Sequence, residues 1–127
     1  MITTSSTQER IIKAMENPNV DIIFHPTGRI IKRRDAYKVD MDALFKVAKR
    51  TGTVMEIDAF PDRADLKDEY IRKAVDMGVK LSIDSDAHSI QHFPYLEYGI
   101  AQARRGWAEK KNIINTRSRQ DMLKLLK

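Results

Sequence analysis

The stretch from Gly78 through Val79-Lys80-Leu81-Ser82-Ile83-Asp84-Ser85-Asp86-Ala87-His88 constrains the fold of this chain more than any other. Gly78 closes a helical pattern, apolar and polar residues then alternate, and the run stops in a small polar cluster. That is how a buried parallel strand reaches its C-terminal end. Asp84, Asp86 and His88 share one parity, so in an extended backbone their side chains point to the same side. A carboxylate beside an imidazole is a ready pair of metal ligands. A turn-capping Asp86 and a hydrogen-bonded loop His88 account for the same spacing equally well.

The helix-then-strand rhythm recurs along the chain. Ser6 with Glu9 three residues later forms a capping-box pattern, Ile11, Ile12 and Met15 form an apolar stripe, and Asn17-Pro18 stops it, which predicts a helix over about residues 7 to 16. Val20-Asp21-Ile22-Ile23-Phe24 is a β-branched run that breaks at His25-Pro26-Thr27-Gly28-Arg29, a strand with a histidine at its tip. Asp40 caps the next helix and Gly52 closes it; the strand Thr53-Val54-Met55-Glu56-Ile57 follows and ends in Asp58 and Pro61-Asp62-Arg63. Asp65 and Asp68 open a further helix that Gly78 ends. Pro94 suits the first turn of a helix reaching Arg105, Asn112-Ile113-Ile114-Asn115 reads as a last short strand, and Ser118 with Asp121 starts a terminal helix. About four strands alternating with helices imply an α/β fold with a parallel sheet, and polar residues gather at the strand C-terminal ends, where such sheets build sites.

Composition narrows the function classes. A chain of 127 residues with 42% hydrophobic residues is one domain, and it holds no apolar run of transmembrane length. It has no cysteine, which excludes disulfides and thiolate metal sites, and with no leader pattern the expected location is cytoplasmic. A net charge of +5, from 23 basic against 18 acidic residues, tilts the partner toward nucleic acid or a phosphorylated substrate. Arg29, Arg33, Arg34, Arg63, Arg104 and Arg105 are candidates for a phosphate-binding rim, with Arg29 and Arg63 favoured because they follow strand ends. Pairing with Glu56, Asp58 or Asp62 is the simpler role for many of them. Trp107 reads as core, although a single ring can also stack a base.

Four segments together carry a resemblance: His25-Pro26-Thr27-Gly28-Arg29; Glu56-Ile57-Asp58-Ala59-Phe60-Pro61-Asp62-Arg63; Asp84-Ser85-Asp86-Ala87-His88-Ser89; and Tyr98-Gly99-Ile100-Ala101 with Ala103-Arg104-Arg105-Gly106-Trp107. In this order and spacing they resemble the C-terminal part of a PHP (polymerase and histidinol phosphatase) domain, most closely that of bacterial and archaeal family X DNA polymerases. The resemblance implies a partial, distorted TIM-like barrel spanning residues 1–127. It also implies a metal cluster at the strand ends that hydrolyses phosphate esters, in the setting of DNA repair and 3′-end processing. It carries over His25, Asp86 and His88 as ligands of a divalent metal, zinc or manganese. Beside these, His92, four residues after His88, and Glu56 and Asp58, at the end of their strand, read as residues that support the ligands from behind.

This chain departs from the family pattern in ways that set further expectations. PHP domains open with a His-x-His pair and supply another glutamate and histidine upstream, whereas the histidines here are His25, His88 and His92. Asp58 stands where the family usually has asparagine and Ser85 where it usually has threonine. No nucleotidyltransferase part is present, so polymerase activity is not expected. With ligands missing, the metal is expected to bind weakly or not at all, and the chain is expected to lack phosphoesterase or 3′-5′ exonuclease turnover alone. The strand Val20 to Phe24 would be left with an open edge, which calls for a homodimer or an N-terminal half-barrel partner. A non-catalytic, DNA-associated binding or assembly module is the alternative.

Overall fold

The computed structural model describes residues 4–127. Its elements run in chain order as α1 (Thr4–Glu16), β1 (Ile22–Ile23), α2 (Met41–Thr51), β2 (Val54–Asp58), α3 (Asp68–Asp76), β3 (Leu81–Asp84), α4 (Leu96–Arg105) and α5 (Arg119–Leu125). A 3-10 segment, Ile90–Tyr95, leads into α4, and two shorter ones, Lys110–Asn112 and Ile114–Thr116, precede α5. No helix among the described residues is long and apolar enough to cross a membrane.

The three strands form one parallel sheet in the order β1-β2-β3. Its register decides which residues face the helices. Met55 lies opposite Leu81 and Ile57 opposite Ile83, and these four join Leu44 and Phe45 of α2, Ile71 and Ala74 of α3 and Ala103 of α4 in one core. The alternate residues of the same strands, Glu56 opposite Ser82 and Asp58 opposite Asp84, point to the other face. One side of the sheet is therefore oil and the other is acid.

Local chemistry explains most element boundaries. The Asp40 carboxylate accepts from the Ala43 N–H at the start of α2, and Gly52 closes that helix at φ 74°. Ser118 caps α5 by accepting from the Asp121 N–H. Other expectations need correction. Helix α1 begins at Thr4, ahead of the Ser6 at which a start was expected. Asp65 does not open α3, which begins after Lys67 and carries Asp68 and Glu69 in its first turn. Pro94 sits in the 3-10 segment ahead of α4.

Among the described residues the sheet has three strands where about four were expected, and it is not closed into a TIM-like barrel. Residues 112–115 form tight 3-10 turns and leave a single parallel bridge from Ile113 to Leu81. Polar side chains there satisfy the backbone locally and compete with a ladder. The Asn112 side chain accepts from the Glu109 N–H, and the Thr116 hydroxyl contacts the Lys110 and Ile113 carbonyls. The Asn115 amide then does the work of a neighbouring strand: its Oδ1 accepts from the Ile83 N–H at 2.8 Å and its Nδ2 donates to the Ile83 carbonyl at 2.8 Å.

Helix α4 approaches the sheet through Gly99. A Cβ there would lie 2.6 Å from Ile83 Cγ2 and 2.8 Å from Ala59 Cβ, both in rigid surroundings. Gly99→Ala should therefore lower stability by about 1–3 kcal/mol through overpacking. Chemical denaturation would read this as a lower midpoint at unchanged slope, and an unchanged midpoint would mean that α4 is free to shift.

Candidate metal centre

Each strand delivers polar residues at its C-terminal end. After β1 the backbone turns at His25, held at φ 49°, and the Gly28 N–H closes the turn onto the His25 carbonyl at 3.1 Å. The turn is fixed from below by Asp65, a buried carboxylate that accepts from the Thr27 N–H, the Thr27 hydroxyl and the Gly28 N–H. Burial raises the Asp65 pKa while those donors pull it down. Losing this carboxylate would leave buried donors unmatched at about 1–3 kcal/mol each. Gly28 is required at its place: it has φ 67°, and a Cβ would lie 2.3 Å from the Tyr37 ring.

Arg29 completes the same brace. Its Nε donates to the Arg63 carbonyl at 2.8 Å and its Nη2 to the Ala64 carbonyl at 2.7 Å, tying the loop after β1 to the loop after β2. Two of its nitrogens are thus committed to backbone, and Arg29 does not line the cleft that holds His25.

The tightest ligand set is His25, Glu56 and Asp58, which offer one donor atom each within 4.8 Å of one another. His25 Nδ1 lies 3.0 Å from Asp58 Oδ2 and 3.8 Å from Glu56 Oε1. Glu56 Oε1 also accepts from the His25 N–H at 2.7 Å. Glu56 is 3% exposed and Asp58 is fully buried. Glu56 is pushed up to about 10 by burial first and by its hydrogen bond and charge repulsion with Asp84 next. Asp58 is pushed up to about 7, chiefly by burial; the Phe60 N–H pulls it down and the Asp86 carboxylate pushes it up.

Asp86 and His88, expected to join His25 on one ion, lie outside that tight set. They line the same cleft as His25, a hollow of about 260 Å³ that also has Arg33, Phe60 and Arg63 in its walls. Asp86 is held at φ 52°, a left-handed conformation that a non-glycine residue adopts at a cost. His88 Nδ1 is 2.8 Å from the Asp86 carbonyl, and the His88 N–H donates to His92 Nδ1 at 3.0 Å, so His92 braces the His88 backbone. Arg63 is the arginine of the pair that faces the cleft, with its Nε 3.9 Å from Asp86 Oδ2. Trp107, expected in the core, is 66% exposed with the Arg72 guanidinium 3.7 Å above its ring.

The residues present fit a divalent cation. His25 Nδ1, Asp58 Oδ2 and Arg63 Nη1 are buried and make no hydrogen bond among the described residues, although the first two are close enough for one. Buried polar atoms are normally paired, so a concentration of unpaired ones marks a place where something else is bound. One imidazole and two carboxylates suit zinc or manganese. The buried, unpaired Arg63 nitrogen beside them suits an anion.

The sequence reading sets Glu56 and Asp58 behind the ligands, among the charged residues that end their strand. Their two-residue spacing, the same parity signal that singled out Asp86 and His88, was the clue to a shared face. It missed Asp65 because an acidic residue ahead of a helix reads as a helix opener.

The raised carboxylates give a pH signature. Both hold protons in the folded chain that the unfolded chain releases near 4.5 for Glu56 and 3.8 for Asp58. Stability without metal is therefore greatest below those values and falls as pH rises, toward about 7 for Asp58 and about 10 for Glu56. A bound cation displaces the protons and reverses the trend. In chelator, the denaturation midpoint should drop between mildly acidic and mildly alkaline buffer, and added manganese should raise it more in the alkaline one. A flat profile would mean that the carboxylates are already ionised and paired.

No family model matches the chain. It is 44% identical over 119 residues to a DNA polymerase/3′-5′ exonuclease PolX of Bacillus subtilis (strain 168), a match that covers 94% of this chain and 21% of that protein. It is 37% identical over 112 residues to a probable phosphatase of Thermoanaerobacter sp. (strain X514), covering 84% of this chain and 43% of the relative. A probable phosphatase of Caldanaerobacter subterraneus subsp. tengcongensis is 33% identical over 84 residues. The chain thus spans about a fifth of the polymerase and under half of the first phosphatase. It is similar over nearly its whole length to part of a family X polymerase, and the resemblance to the C-terminal part of a PHP domain that its motifs carry is borne out.

Proposed function

We propose that this chain is the metal-holding part of a PHP-like phosphoesterase site acting on nucleic-acid 3′ ends. His25, Glu56 and Asp58 hold a divalent ion, zinc or manganese, and Asp86 and His88 face it across the cleft. The observation that carries the reading is the convergence of unpaired buried polar atoms on His25, Asp58 and Arg63 at the C-terminal ends of β1 and β2. Similarity to a polymerase/exonuclease and to probable phosphatases supports phosphate-ester chemistry.

The side chains divide the task. When bound, the ion supplies Lewis acidity toward a phosphate ester. Arg63 offers its free Nη1 to the phosphoryl oxygens, and Asp86 keeps its guanidinium turned into the cleft. Arg29 and Asp65 hold the two loops that carry His25 and Arg63 at a fixed separation. One compact ligand group on an open three-stranded sheet supports ion binding by this chain and turnover only when another polypeptide or copy completes the site.

The test is paired. After dialysis against manganese or zinc, elemental analysis should find a stoichiometric ion that Asp58→Asn and His25→Ala each remove. The same preparation should leave a 3′-ended oligonucleotide uncut. Absence of ion from the unaltered chain would overturn the metal reading in favour of a non-catalytic DNA-associated module. Metal-dependent cleavage lost on His88→Ala would overturn the need for a partner.

The uncovered margin of the sheet suggests the partner. β1 is an edge strand, and between α1 and Ile23 lies a hollow of about 540 Å³ lined by Ile11, Ala14 and Tyr37 among others. A second copy pairing edge to edge, or a half-barrel from another polypeptide, would fill it. Sedimentation should show a dimer of the isolated chain. A monomer at every concentration would reject self-pairing and leave the half-barrel partner.

A further inference from the structure

A row of rings runs away from the cleft, and three of them, Phe60, Tyr95 and Tyr98, have no part in the metal centre. Phe60 meets His92 edge-on at 5.2 Å, Tyr95 at 5.5 Å and His88 at 6.3 Å. His92 stacks on Tyr95 at 5.2 Å and 17°, and Tyr95 leans on Tyr98 at 5.8 Å. Core rings have their faces covered, but here Tyr98 is 58% exposed, His88 is exposed, and Phe60 and Tyr95 are half-buried. The rings orient one another while leaving aromatic surface to solvent, which a structural cluster has no need to do.

The row is continuous with two charged features. Phe60 and His88 are themselves walls of the cleft, in which Arg33 and Arg63 stand with the carboxylates of Asp62 and Asp86. Ile30, on the far wall, is shared with a second hollow of about 330 Å³ whose sides carry Arg29, Lys32, Arg34 and Lys67 against one acidic residue, Asp35. Rings, a cleft with arginines, and a cationic hollow follow one another along the surface. Stacking platforms beside a cationic path are how proteins hold single-stranded nucleic acid, because every base has a π-face and every linkage a charge. A duplex would not present unstacked base faces, and an apolar protein segment would have no use for the cations.

We propose that Phe60, Tyr95 and Tyr98 form a base-stacking subsite for an unpaired terminal nucleotide, with its phosphodiester in the His25–His88 cleft and the preceding phosphates over the Lys32–Lys67 hollow. The inference deepens the phosphoesterase reading by assigning the specificity for nucleic-acid ends to this row. Binding measured in chelator, where nothing turns over, separates its failure from failure of the metal centre.

The experiment is fluorescence anisotropy at low salt with a labelled single-stranded oligothymidylate of about ten nucleotides, within the range of single-strand site sizes. The comparison strand has the same length and abasic terminal nucleotides. Tyr98→Leu, at an exposed position, should weaken the base-bearing strand by about fivefold to a hundredfold and leave the abasic strand unchanged. Lys32→Glu should weaken both strands alike and flatten the salt dependence. No binding by the unaltered chain, or equal losses on both strands with Tyr98→Leu, would overturn the subsite. So would a change in sedimentation with Tyr98→Leu at unchanged strand affinity, which would make the row a protein interface.

Discussion

Two carboxylates are buried side by side at the end of the central strand, and the arrangement around them follows from that. Glu56 and Asp58 are two residues apart on β2, so the pleat sends both to the same face, away from the apolar core. Neither is solvated. An isolated buried carboxylate is too costly to stay ionised, so it must keep its proton, find a cation or collect donors. The structure does some of each: both pKa values rise, the His25 N–H reaches Glu56, the Phe60 N–H reaches Asp58, and the His25 ring stands beside both. What these leave without a hydrogen bond of good geometry is one carboxylate oxygen and one imidazole nitrogen, 3.0 Å apart, the donor types that a divalent ion takes.

Holding His25 there requires a loop that would not keep its shape alone. The residue sits at positive φ, as does Asp86 across the cleft, and side chains other than glycine reach that region at a cost of roughly 1–3 kcal/mol. The strain persists because other bonds over-determine the loop. Asp65 satisfies Thr27 and Gly28, and Arg29 reaches back to the carbonyls of Arg63 and Ala64. The effect is reciprocal, since these bonds fix the 63–65 segment by way of the 25–29 turn. Arg29 thus braces the loop that carries His25 through two backbone bonds, and it also lines the cationic hollow beside the cleft.

Where local chemistry and tertiary need agreed, the sequence was legible. Asp40 and Gly52 mark the ends of α2 because a side-chain cap and a left-handed glycine are local requirements. The alternation at residues 81–84 predicts β3, and the charged and imidazole residues at the ends of β1, β2 and β3 predict the polar strand ends that the sheet has at His25, Asp58 and Asp84. Legibility failed where one local pattern serves two ends. An aspartate before a helix is a favourable first-turn charge or, as with Asp65, a buried acceptor for a distant turn. Asn112 to Asn115 has the apolar centre of a strand, yet its asparagines bond to nearby backbone and to Ile83, and only a single bridge forms. Which acidic residues meet His25 depends on register between β1 and β2, a non-local quantity that spacing along the chain does not contain.

The two edges of the sheet are treated differently. On the β3 side, Asn115 offers Ile83 the donor and acceptor that a neighbouring strand would supply, and Ile113 bridges to Leu81, so the edge is closed by side chain and turn. On the β1 side, no backbone hydrogen bond reaches Ile22 or Ile23 from outside the sheet among the described residues, and Phe24 is 60% exposed. An uncapped edge next to an exposed aromatic residue is a template for another strand, whereas a capped one is not. The asymmetry gives any extension of the sheet a direction. It would add beside β1, next to His25, so the strand that completes the sheet would also bring its side chains to the unpaired atoms of the ligand cluster.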